Sequence, residues 1–135
     1  MIQEEKQLLI KDLCARLPYR IKVWNSEFLD SIEEYHPNEI LTLSNLDYYI
    51  KESIEVKPYL RPLSSMTDEE RRYLLEELGF DEDLENMELN DFGSYVYHSV
   101  NVLLLFDWLL KHHFDFRGLI PMNLAIEAPK DMYKI

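Results

Sequence analysis

The sequence predicts an α+β fold: a small antiparallel sheet of short strands, open or curled into a partial barrel, packed against about three helices. Three observations predict it. Leu9, Leu13 and Leu17 recur every four residues near the start. Short alternating runs broken by turn residues follow, from Tyr19 to Val56. Two helix signals come later, a capping box at Thr67 and a strongly apolar run from Val100.

The first helix is expected from about Ile2 to Leu17, with Ile10 and Cys14 widening the leucine stripe. Glu4 and Glu5 suit its positive end and Arg16 its negative end. Pro18 stops it, because the residue before a proline avoids the α conformation. From Tyr19 to Trp24 the chain alternates: Tyr19, Ile21 and Val23 on one side, Arg20, Lys22 and Trp24 on the other. That reads as a strand with one wetter face. Asn25-Ser26 and His36-Pro37-Asn38 are turn signals. Phe28 to Tyr35 is ambiguous between a strand and an irregular arm. Glu39 to Leu43 and Leu46 to Ile50 read as strands around a Ser44-Asn45 turn. Ile54 to Val56 adds an edge strand or a helical turn.

Lys57 to Glu70 marks a joint, where Pro58 and Pro62 stop the stranded part. Thr67 and Glu70 then form a capping box that opens a helix to about Leu78, with Leu74, Leu75 and Leu78 inward and Gly79 as its stop. Phe80 to Asp91 is an acidic connector, and Tyr95 to His98 a weak strand. Val100 to His113 is expected to be a central helix, apolar on nearly all sides. Arg117-Gly118 turns the chain, and Leu119 to Ala128 packs back.

The 135 residues fit one domain, residues 1–135, whose core needs no disulfide or metal. The single cysteine, Cys14, is expected as a buried thiol on the first helix; unpaired cysteine fits a reducing, cytoplasmic setting. The charged start is not a signal peptide, and Val102 to Leu110 is too short to span a bilayer. The net charge of -12 disfavours direct nucleic-acid binding and anionic membranes. An acidic face would instead suit a basic protein partner. Oligomeric state is left open.

No catalytic motif, metal-ligand spacing or phosphate loop is present, so no cofactor or metal is expected and no residue is assigned as catalytic. The candidate site residues are Tyr59, Arg61, Asp107, His112, His113 and Asp115. His112 and His113 are adjacent, about 100° apart on a helix, and so cannot easily share one ion. Capping the negative end of the preceding helix is the simpler role. Asp107 either faces solvent or accepts from a buried donor. Tyr59 and Arg61 share a face in an extended chain, where the arginine is expected to stack on a ring or pair with an acid. Asp81 to Asp91 is expected to be a solvated loop, with phosphate mimicry as its alternate use.

Three blocks carry a resemblance: Glu4 to Tyr19, Val56 to Thr67, and His112 to Ile120 with Glu127-Ala128-Pro129. Together they cover about a third of the chain. They resemble a family of small uncharacterised proteins of gut Bacteroides and their phages or prophages. The resemblance implies a mobile-element origin and a cytosolic setting. It implies no activity, cofactor or catalytic residue. Three functions are consistent with these readings. The leading one is a non-enzymatic protein-interaction module of a phage or mobile element. The alternatives are an acidic DNA-mimic inhibitor of a host nucleic-acid enzyme and a small enzyme using His112 or His113, Asp115 and Asp107.

Overall fold

The computed structural model describes residues 2–27, 39–78 and 102–133. Helix α1 (Gln3–Arg16) buries Leu9, Asp12, Leu13 and Arg16, the i, i+3, i+4, i+7 spacing of one stripe. The stripe is rotated from the expected one. Asp12 and Arg16 turn inward, and Cys14, expected to be buried, is exposed. Past α1 a 3-10 turn spans Leu17–Tyr19, and Arg20, left-handed at φ 58°, redirects the chain.

Strand β1 (Val23–Asn25) ends the alternating run, with Ile21 and Val23 fully buried. The strand expected from Glu39 reduces to one bridge, Ile40 to Lys22. The strand expected from Leu46 to Ile50 is helical instead. Helix α2 (Leu43–Lys51) starts at Thr42, whose hydroxyl accepts from the Asn45 amide while the Asn45 side chain accepts from the Thr42 amide. That reciprocal cap nucleates a helix where a turn is expected. Leu46 and Tyr49 then share its buried face.

The proline-bracketed joint is the largest departure. It forms strand β2 (Val56–Pro62), which pairs with every other strand. Pro58 is tolerated because it faces Val23 across β1, while the next residue, Tyr59, donates its amide to the Lys22 carbonyl. In an antiparallel pair the hydrogen-bonded and non-bonded positions alternate, so the proline removes no bond to β1.

Helix α3 (Asp68–Leu78) opens at the capping box: Glu70 N donates to Thr67 Oγ1 at 3.1 Å, and Thr67 N donates to Glu70 Oε1 at 2.9 Å. Leu74 is buried; the side chains of Leu75 and Leu78, Gly79, the acidic connector and the Tyr95 strand lie outside the described residues. So do the Phe28 to Tyr35 run and the His36-Pro37-Asn38 turn. Helix α4 (Val102–Lys111) is less central than its composition suggests. It buries Leu105, Leu109 and Leu110 but exposes Leu104 and Asp107.

Strands β3 (Phe114–Asp115) and β4 (Ile126–Glu127) both run parallel to β2, while β1 runs antiparallel to it. The sheet is therefore mixed rather than antiparallel. Parallel pairing needs a long crossover, and the span from Leu63 to His113, with α3 and α4, supplies one. The described residues thus hold four α-helices and a mixed sheet of four short strands, an α+β fold. One apolar cluster joins α1, α2, β1, β2 and the Leu119–Ala125 turn. A second joins Met66, α3, α4, Phe114 and Phe116.

Candidate functional site

The site is built where α4 ends. His112 N still donates to the Trp108 carbonyl, in helical fashion. His113 then adopts φ 65°, the left-handed form that closes a helix, and its amide donates to Leu110 O. The reversal sends the two imidazoles to different neighbours.

His112 packs on the Trp108 indole at 4.4 Å, and its Nδ1 lies 3.8 Å from Glu70 Oε2. Partial burial pushes His112 below the ordinary imidazole pKa; Glu70 opposes this, and Arg61 and Lys111 add to it. The ring is thus mainly neutral at pH 7, and its approach to Glu70 is not an ion pair. Glu70 belongs to Arg61, whose Nη1 and Nη2 donate to its two oxygens at 2.9 and 2.7 Å. Burial pushes the Glu70 carboxyl up, but the Arg61 and Thr67 hydrogen bonds outweigh it and hold the pKa below its usual value. Arg61 also stacks its guanidinium 4.1 Å above the Phe114 ring.

His113 stacks on Tyr133 at 3.8 Å. The Tyr133 hydroxyl donates to Tyr59 O at 2.7 Å and accepts from Lys22 N at 3.0 Å, which ties Tyr133 to β2 and to the residue just before β1. Burial, with Arg16, His112, Arg61 and Lys22 nearby, lowers the His113 pKa to about 4. Neither imidazole is therefore the cation expected at the negative helix end.

Asp115 is buried and accepts the amides of Leu119 and Ile120, both at 2.9 Å, which holds the turn after β3. Asp107 is exposed on α4. Tyr59 is buried in β2. Among the six candidates, the side chains of Arg61 and His112 meet at Glu70, while the Tyr133 side chain links the His113 ring to the Tyr59 carbonyl and the Arg61 amide donates to His113 O. Sequence reasoning assigned Glu70 to a cap alone and did not select Tyr73 or Trp108. The i, i+4 spacings Glu69–Tyr73 and Trp108–His112 are the signal that could have found this face.

The resulting cleft, of about 330 Å³, is lined by Glu69, Glu70, Tyr73, Trp108, Lys111 and His112. A second, more apolar cavity of about 360 Å³ lies between α1 and α2 over Leu9, Leu13, Leu46, Tyr49 and Val56, with Ile50 and Lys6 at its edge. Among the described residues, no three His, Cys, Asp or Glu side chains gather as a metal site, and no helix is long and apolar enough to cross a membrane. The cleft's rings and carboxylates suit recognition of a flat or cationic group. Searches against family models, curated proteins and solved structures return no match.

Proposed function

We propose that this chain is a non-enzymatic protein-interaction module, serving a phage or mobile element in the cytoplasm as the sequence resemblance implies. The observation that carries the reading is the outer face of α2. Leu43, 72% exposed, and Ile50, 44% exposed, stand seven positions apart and so on one side of the helix, with Ile50 at the edge of the apolar cavity shared with α1. Scattered apolar residues need no explanation, but two on one side of a nine-residue helix, reaching a cavity edge, offer a contact surface. The net charge of -12 makes a basic partner the complementary one. The enzyme reading is weaker because His113 and Asp115 are committed to Tyr133 and to backbone amides.

The test is capture from host lysate by the immobilised protein and by a Leu43→Glu/Ile50→Glu variant. The expected result is a basic protein retained by the first and lost with the second. Equal retention by both would remove the α2 face from the proposal. A turnover abolished by His112→Ala would replace the reading with an enzymatic one.

A further inference from the structure

Arg61, Phe114, Trp108 and Tyr73 form a continuous run of stacked groups. The guanidinium lies over Phe114; Phe114 and Trp108 are 5.7 Å apart and 17° from parallel; Trp108 and Tyr73 are 6.0 Å apart and 14° from parallel. The run is closed at one end by the protein's own arginine, which also holds Glu70 through both nitrogens. It is open at the other, where Tyr73 is 44% exposed. Glu69, exposed, stands one helical turn before Tyr73 on α3, on the same side of the helix. The open end therefore repeats the elements of the closed one: an aromatic ring with a carboxylate beside it.

We infer that the Tyr73–Trp108 cleft binds an arginine side chain of a partner protein, stacked on the rings and paired with Glu69. This rests on the interaction-module reading and names what the partner presents. A guanidinium suits the site better than an ammonium, because it is planar, stacks on rings and is weakly hydrated. Lys111 also lines the cleft, so charge alone does not select the ligand. The rings do. A volume of about 330 Å³ is small for a cofactor-sized ligand but accommodates one long side chain. A nucleotide is disfavoured because Glu69 and Glu70 would face its phosphates.

The experiment is a titration of isotopically labelled protein with the peptide acetyl-Gly-Arg-Gly-amide, reading the Trp108 indole N–H resonance. Citrulline and lysine versions of the peptide serve as controls. The arginine peptide is expected to shift that resonance to saturation, and both controls to bind more weakly. Glu69→Gln and Tyr73→Ala should each weaken binding by about 2–5-fold, as the loss of one exposed ion pair or one exposed cation–ring contact does. Tyr73→Phe, which keeps the ring, should bind as the parent does. An unmoved indole, equal response to the citrulline or lysine peptide, or indifference to Glu69→Gln and Tyr73→Ala would overturn the inference. If the immobilised protein still retains a basic protein from lysate, only the cleft assignment falls; if it retains none, the underlying reading falls as well.

Discussion

Arg16 and Arg61 both hold Phe114, in contrasting environments. Arg16 is fully buried; it donates from Nη2 to the Phe114 carbonyl and from Nε to Asp12, each at 2.8 Å. Arg117 reaches the other oxygen of Asp12 at 3.0 Å. Arg61 holds the ring of the same phenylalanine and pairs with Glu70, but about a fifth of each side chain stays in contact with water. The difference separates a fastener from a recognition surface. A buried charge stripped of its partner is costly, so the first group cannot exchange partners. The second is partly wet, and its surroundings remain open to a ligand.

The largest expected effect breaks the buried group. Asp12→Ala leaves Arg16 and Arg117 without their shared carboxylate, and loss of one partner of a buried pair costs about 3–5 kcal/mol. Urea unfolding checks this; a midpoint close to the parent's would show that water reaches Arg16. Within the second apolar cluster, Leu109→Ala should cost about 2–5 kcal/mol, because Leu109 is fully buried on α4. A loss well under about 1 kcal/mol would place α4 at the periphery.

A smaller effect depends on pH. His113 is lowered from 6.5 to about 4 in the folded protein, so between these values the unfolded chain binds a proton that the native one does not. His113 should therefore lower stability as pH drops from 6.5 to about 4, and its effect should level off below that. Linkage sets a ceiling of about 3 kcal/mol, and solvent at the ring's exposed part brings it nearer to 1. Glu70 acts in the same direction but lower, since its depressed pKa removes stability only as pH falls below its usual 4.5. His113→Phe should flatten the stability profile above about pH 5 and leave the steeper acid limb. An unchanged profile would mean that His113 is not the group titrating there.

The elements set by neighbouring residues were legible in the sequence. Helix α1, the Thr67–Glu70 cap and the apolar α4 each depend on residues a few positions apart, although the buried stripe of α1 is rotated from the expected one. Misreadings came where distant residues decide. Leu46 to Ile50 is the exception: it reads as a strand after a Ser44-Asn45 turn, yet the local Thr42–Asn45 cap makes it a helix. Pro58 looks like a stop, and only the register against Val23 shows that no bond to β1 is lost. Arg16 reads only as a cation at the negative end of the first helix; the Phe114 carbonyl, 98 positions along the chain, reveals why it is inside. The cleft was hidden for the same reason, because Glu70 and His112 meet only when α3 and α4 are folded back along β2.

Asp47 and Lys51 on α2 are also paired at i, i+4, with side chains 58% and 71% exposed. At 2.9 Å this contact is nearly as short as those of Arg61. Distance alone would rank the two alike. Exposure ranks them differently: a solvated helical pair contributes about 0.3–0.5 kcal/mol, whereas a bidentate, ring-stacked arginine should couple by about 1 kcal/mol or more. Double-mutant cycles with Asp47→Ala/Lys51→Ala and Arg61→Ala/Glu70→Ala measure both couplings. Repeating them in about 1 M salt, where screening acts within a few ångströms, should erase the first and leave most of the second. Equal salt sensitivity would mean that Arg61 is as solvated as Lys51, and would weaken its use as the template for a stacked guanidinium in the Tyr73 cleft.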